Sequence, residues 1–347
     1  MRRTARAVVG VGIAVAFLAL LVSAVGWGEF ADALAKADPR LYGAALVAAT
    51  AAITTWAQVT RQLFASVGGE LREVNFHSAY FSALFGRAVL PGGHVGGVGI
   101  VAYVLSVYGD GEFERPLVAV STAEFSNNVA SVTMATLGLL FVVTVGHGGS
   151  FSGLGALALV GMVAALAAAY ALVVQFDAVG TLAHRVAAVG RATVGRLSSR
   201  VRTALSEENV EERVSRASDV AGALRDDPRT LASAVAFSHL GWAFYVLPLY
   251  LSLRAVGTPV AFGALLLVVP VAGLAAVLGT PGGIGVVDSA MAGALVALTP
   301  YPAGPLVAGV VLYRVADFGT TICVGGVSTL YLAATDARNP LAVLGEP

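Results

Sequence analysis

Apolar residues run through this chain in blocks long enough to cross a bilayer. A hydrocarbon core about 30 Å thick takes roughly 20 helical residues at 1.5 Å each. Six stretches meet that length: 7–26, 41–60, 116–146, 151–176, 231–255 and 305–334. Two further apolar regions, 74–106 and 260–299, are interrupted in mid-course by Pro91-Gly92-Gly93 and Pro281-Gly282-Gly283. Proline lacks the helical donor and glycine lacks helical preference. Each region therefore reads as two shorter helices meeting at the break. The pattern predicts an all-α polytopic membrane bundle, with six full spans and two helical hairpins.

Composition narrows the class further. Of 347 residues, 57% are hydrophobic and 12% charged, with a mean hydropathy of +0.81. Soluble domains carry about 25% charged residues. A soluble enzyme, a disordered chain and a disulfide scaffold are excluded. Zero net charge gives no reason to expect a nucleic-acid partner. The single Cys323 forbids an intrachain disulfide and any Cys-based metal site. Arg2, Arg3 and Arg6 precede the first stretch, and Val22-Ser23-Ala24 resembles a signal cleavage site. The apolar run exceeds the roughly 7–15 residues of a signal core, so a retained span is expected.

Loop charge sets the orientation. With the N-terminus inside, sixteen basic residues lie on the cytoplasmic side and three (Lys36, Arg40 and Arg254) outside, leaving Arg87 and Arg314 within the membrane. The count requires 74–106 to enter and leave on one side. It is then a re-entrant hairpin, and 260–299 is its mirror from the opposite side; two full spans in either place would preserve the sides equally. Both termini are expected in the cytoplasm. The chain divides into a first membrane half (1–176), a linker (177–230) and a second membrane half (231–347). The linker carries nine Arg and eight acids, with Val201, Leu205, Val210, Val214 and Val220 at loosely helical spacing, and reads as an amphipathic helical segment on the membrane face. The two breaks stand 190 residues apart, each flanked by a span on either side. That is the signature of an inverted repeat, and interrupted segments at matching places in two halves point to a transporter's binding site.

A charge at mid-bilayer costs about 2.5–3.5 kcal/mol on insertion scales, so those present need a role. Arg87 precedes the first break, Asp288 follows the second, and Glu124, Arg314 and Asp317 lie within spans. Ser121, Glu124, Asn127, Asn128 and Ser131 share one helix face, which suits a polar groove. Thr50, Thr54, Gln58 and Arg61 form a weaker stripe that reads as hydrogen bonding between helices. Arg314 and Asp317, three apart, can pair with each other or leave Arg donors for a ligand. The arms after the breaks begin with amide groups lacking helical acceptors, near residues 94 and 284, and such ends seat anions. Gly92, Gly93, His94, Gly282 and Gly283 are therefore candidate ligand contacts. Trp27, Tyr42, Trp56 and Tyr301 fall near span ends and suit the interfacial belt. No metal spacing, nucleotide loop or catalytic triad pattern is visible, so no cofactor is expected.

The segment GTPGGIGVVDSA, followed by VLYRVADF, resembles the signature of the flippase-like membrane family that includes the transmembrane region of lysylphosphatidylglycerol synthases. There the pattern reads roughly Thr-Pro-Gly-Gly-Leu-Gly-Val-Val-Glu, with a later Tyr-Arg pair. Thr280 to Val287 match closely, Asp288 stands where Glu is usual, and Tyr313-Arg314 fit the pair. The break at Pro91 resembles the family's first signature, and the likeness spans roughly residues 10–335. Val98 and Val101 replace an acidic residue and an Arg, and Phe125 replaces the Arg of a Glu-Arg pair. No aminoacyl-transferring domain lies within the sequence, so lysyl transfer is not expected of this chain alone. The resemblance implies movement of an anionic polar-headgroup lipid, a phospholipid or a polyprenyl-phosphate-linked sugar. The expected partners are membrane lipids, with a homo-oligomer left open. Alternatives are a membrane-embedded lipid-modifying enzyme using Glu124, Asp288 and His94, a small-anion transporter, or an auxiliary subunit of a glycosylation complex.

Overall fold

The computed structural model describes residues 31–145 and 206–335, apart from 33, 91, 92, 94, 95, 110–112, 279, 280 and 284; for 207–210, 213, 277, 278 and 281 it describes the backbone alone. The expected spans 7–26 and 151–176, the upstream part of the linker, and the candidate contacts Gly92 and His94 lie outside the described residues. The structured parts are helical. Four long helices carry the apolar length of a span: α1 (Pro39–Ser66), α4 (Glu114–Val145), α6 (Pro228–Ala255) and α9 (Ala303–Thr335). Each contains one sequence-expected span and extends it by a few residues, except that α4 ends one residue earlier. The described end of the linker forms α5 (Glu207–Arg225), which turns Ala221 and Leu224 into the bundle. Residues 228–230 already belong to α6, because Asp227 caps it and Pro228 starts it.

Each interrupted region forms two short helices. The first gives α2 (Glu73–Val89) and α3 (Gly97–Tyr108). The second gives α7 (Phe262–Gly273), a tighter turn over Leu274–Leu278, and α8 (Val286–Leu298). At the second break the chain reverses through Gly282 (φ +60°), Gly283 (φ +68°) and Gly285 (φ +87°), a region that side chains with a Cβ rarely enter. Both helix pairs return to the end from which they left. The Arg115 Nη1 group donates to the Gly68 carbonyl at 3.0 Å, and the Tyr301 hydroxyl to the Pro259 carbonyl at 3.4 Å.

The two halves repeat in detail. Helices α1 and α6 both have 28 residues, and both follow an Asp-Pro-Arg in which the Asp side chain accepts from a first-turn amide. Both end in Val-Gly with the glycine at φ +78°, closed by equivalent bonds from Gly69 to Phe64 and from Thr258 to Leu253. These features stand 189 residues apart. The two helices pack along each other in opposite directions. The Asp38 amide at the start of α1 donates to the Ala255 carbonyl at the end of α6 at 2.9 Å. Ser233 near the start of α6 donates to Gln62 near the end of α1, also at 2.9 Å. The halves also exchange helices: α4 packs on α7, and α9 on α2.

Small residues allow these approaches, as in lipid, where helix association depends on close packing rather than on escape from water. Buried Ala45, Ala49 and Ala52 line α1. A Cβ on Gly138 of α4 would stand 2.2 Å from the Leu267 amide nitrogen of α7. The equivalent contact is Gly325 of α9, whose Cβ would lie 2.6 Å from the Phe81 carbonyl oxygen of α2. Each half has its own apolar core, around Leu63, Phe76 and Leu105 in the first and Leu265, Met291 and Leu295 in the second.

Candidate functional site

Between the two cores lies a cavity of about 350 Å³, lined by α1, α2, α4, α6, α7, α8, α9 and the turn of the second hairpin. Its charged groups come from both halves.

On the first half, Arg87 occupies the last turn of α2, where a cation complements the helix dipole. Its Nη1 group donates to Glu124 Oε1 of α4 at 2.5 Å. Two glycines leave room for this arginine. A Cβ on Gly97 would lie 2.7 Å from Arg87 Nε, and one on Gly93 2.0 Å from the Arg87 carbonyl oxygen.

On the second half the polarity is reversed. The hairpin supplies the acid, Asp288, and the long helix supplies the base, Arg314. The Gly285 amide donates to Asp288 Oδ2 at 2.8 Å, and Arg314 Nε donates to Asp288 Oδ1 at 2.7 Å. Both carboxylate oxygens are engaged, and the Asp288 side chain is 1% exposed. Arg314 Nη1 reaches the Gly282 carbonyl at 3.4 Å and stands 3.9 Å from Asp317 Oδ2. The Tyr245 hydroxyl donates to the same Asp317 oxygen at 3.4 Å. Glu124 and Arg314 are 190 residues apart, the interval that also separates Pro91 from Pro281. The equivalent sites on the two long helices thus carry opposite charges.

Several polar atoms at this cavity are buried without a partner: Arg314 Nη2, Trp242 Nε1, Trp56 Nε1 and Asn127 Oδ1. Leaving a buried donor or acceptor unpaired costs about 1–3 kcal/mol, more for a charged group. Four such atoms on one cavity mark a place for a polar occupant. Four aromatic rings flank it. Trp56 and Tyr245 lie 5.1 Å apart, Trp242 and Tyr245 5.4 Å, and Tyr245 and Tyr313 6.2 Å, centroid to centroid.

Seven of the sequence-derived candidates line the cavity: Arg87, Glu124, Asn127, Asn128, Gly282, Arg314 and Asp317. Gly93, Gly283 and Asp288 are buried behind the lining. The amide end at the start of α8, read from the sequence as an anion seat, is filled by Asp288. A carboxylate three residues into a helix reaches back to the capping amide, so it reaches this amide ahead of any ligand. Arg314 pairs closely with Asp288 and only at longer range with its neighbour Asp317. Trp56 is not interfacial. Helix α1 runs on to Ser66, which places this indole in the middle of the helix and against the cavity. The Thr50 and Thr54 hydroxyls donate to their own helix carbonyls four residues back and take no part in packing between helices.

Sequence reasoning missed Trp56, Trp242, Tyr245 and Tyr313 as cavity residues. A signal existed for two of them: Trp56 and Tyr245 occupy the same place after the two Asp-Pro-Arg caps.

No curated protein matches the sequence. The profile described as the lysylphosphatidylglycerol synthase TM region matches residues 7–325, a stretch that includes every cavity residue named above. With four apolar helices of spanning length and a match over most of its sequence, this membrane protein belongs to the family of the lysylphosphatidylglycerol synthase transmembrane region.

Proposed function

We propose that this protein translocates a lipid with an anionic polar headgroup across the membrane, and that the central cavity holds the headgroup. Family membership supports a role with membrane lipids. The observation that carries the finer reading is Arg314 Nη2, a guanidinium nitrogen buried without partner between two halves of opposite direction. An arginine with a free donor suits a phosphate oxygen. Glu124, Asn127 and Asn128 face the polar remainder, and the tails stay in lipid. The cavity is at the lower end of the roughly 300–1,000 Å³ typical of ligand pockets, a size for a headgroup and not for a whole lipid.

Both helix pairs act as re-entrant hairpins in this reading. Helices α3 and α8 have 12 and 13 residues, which is about 18–20 Å of length against a core of about 30 Å. Antiparallel α1 and α6 set the hairpins on opposite faces, with cytoplasmic termini following from the distribution of arginine. Rocking of one half against the other opens the cavity to each side in turn. The role assigned is transport without a chemical step.

The test is lipid exchange in vesicles of phosphatidylcholine containing fluorescent phosphatidylglycerol, quenched from outside by dithionite. Wild-type protein should expose the inner-leaflet probe. Arg314→Ala should slow this about tenfold or more, the cost of one charge-assisted hydrogen bond at 1.5–3 kcal/mol. Wild-type vesicles that behave like protein-free ones contradict the reading. A water-soluble product released from the lipid would replace it with the enzyme.

A further inference from the structure

The charges at the cavity do not balance. Two arginines, Arg87 and Arg314, face three carboxylates, Glu124, Asp288 and Asp317. Glu124 has Arg87 at 2.5 Å, and Asp288 has the Arg314 Nε at 2.7 Å together with an amide. Asp317 is the surplus acid. Its nearest cation, Arg314 Nη1, is 3.9 Å away, beyond hydrogen-bond length, and the Tyr245 hydroxyl reaches it at 3.4 Å. Its side chain is 15% exposed, so water does little to replace the missing partner. A carboxylate so placed in a membrane interior binds a proton or a cation.

Which of the two follows from the other side of Arg314. One guanidinium presents Nη1 towards Asp317 and the unpartnered Nη2 towards the occupant. An anion at Nη2 and an ionised Asp317 share that guanidinium and repel each other at short range. Protonation of Asp317 removes the repulsion. An empty cavity with Asp317 ionised and a cavity holding a monoanion with Asp317 neutral have the same net charge.

Resting on the reading of the cavity as an anionic headgroup site, we infer that Asp317 takes up a proton when the anion binds beside Arg314 and returns it when the anion leaves, so that proton and cargo cross together. The proton comes from water on the loading side, adds to the Asp317 carboxylate, and returns to water on the releasing side. The groups around Asp317 are Arg314 and Tyr313 on its own helix, Tyr245 on α6, Asp288 on α8, and Arg87, Tyr80 and Glu124 across the cavity on α2 and α4. His239 of α6 does not line the cavity and its ring is held by the Val235 carbonyl at 2.7 Å. Asp317 is thus a coupling residue distinct from the anion's own ligand.

The experiment is calorimetric titration of the full-length protein in neutral detergent with dihexanoylphosphatidylglycerol, whose phosphodiester stays a monoanion from pH 5 to 9. Runs in buffers of different ionisation heat count the protons. Wild type should take up close to one proton per lipid on the alkaline limb, with affinity falling by up to about tenfold per pH unit. Asp317→Asn should bind with flat pH dependence and no proton uptake. Flat binding by wild type, or uptake retained in Asp317→Asn, overturns the coupling. If Asp317→Asn does not fold, Asp317→Glu should move the midpoint of the pH profile, and an unmoved midpoint assigns the proton elsewhere. Absence of any binding by wild type, together with absence of exchange in vesicles, removes the headgroup reading itself and the coupling with it.

Discussion

Asp288 stands at the join between local folding and the site, so its loss should be felt in both. It caps α8 through the Gly285 amide and holds the Arg314 Nε at 2.7 Å from a position 1% exposed. Losing a helix cap costs about 0.5–2 kcal/mol, and breaking one side of a buried ion pair about 3–5 kcal/mol because the other charge is stranded. Arg314 keeps Asp317 at 3.9 Å as a fallback, which lowers the second figure towards its smaller end. Asp288→Ala should therefore destabilise by about 3–5 kcal/mol in all. At about 2–4 °C per kcal/mol, the unfolding midpoint should fall by roughly 6–20 °C. Asp288→Asn keeps an oxygen for the Gly285 amide and should lose less. The decisive comparison is a cycle with Arg314→Met. The double variant should be more stable than the sum of the single losses predicts, by about 1–3 kcal/mol. Thermal unfolding in detergent, followed by circular dichroism, measures all four proteins. Additive losses, or an Asp288→Ala midpoint within 2 °C of wild type, would refute the pairing as the anchor of Arg314.

The glycine contacts make a further set of expectations. Gly138→Val and Gly325→Val put side chains against backbone, at Leu267 and Phe81, and each should cost about 1–3 kcal/mol or more by thermal unfolding. Gly43→Ala meets nothing within 4 Å and should be neutral or stabilising by about 0.5–1 kcal/mol. Gly241→Ala presses at 2.5 Å on Trp56 Nε1, the end of a side chain, so it should change indole fluorescence and lipid exchange more than stability.

Much of the architecture was legible in the sequence, and the reasons are physical. Unbroken apolar runs can only be spans, and Pro-Gly-Gly can only interrupt one, so the four described long helices and both breaks could be read from composition and spacing. Three things could not. The end of α1 was read too early because Gln58 and Arg61 look like an exit from lipid. In the fold, buried Thr60, Leu63 and Phe64 carry the helix on, and Arg61 finds Glu73 at 3.5 Å. The partner of Arg314 was misweighted because i, i+3 spacing is visible in sequence, whereas the approach of Asp288, 26 residues distant, depends on the hairpin folding back. The packing of α4 on α7 and of α9 on α2 follows from the two-fold relation of the halves, and no local pattern encodes that. The repeated Asp-Pro-Arg cap carried the relation plainly, but the two Pro-Gly-Gly breaks drew attention away from it.

The central claim is that two oppositely directed hairpins, each entering and leaving on one side, meet at a shared cavity. Side-specific cysteine labelling in intact cells tests it most directly, in a Cys323→Ser background. Ala261→Cys and Tyr301→Cys should both react with an impermeant maleimide from outside. Glu70→Cys and Glu114→Cys should react only after the cells are opened. A pair that labels from opposite faces would contradict the inverted hairpins, and with them the cavity's place between the two sides of the membrane.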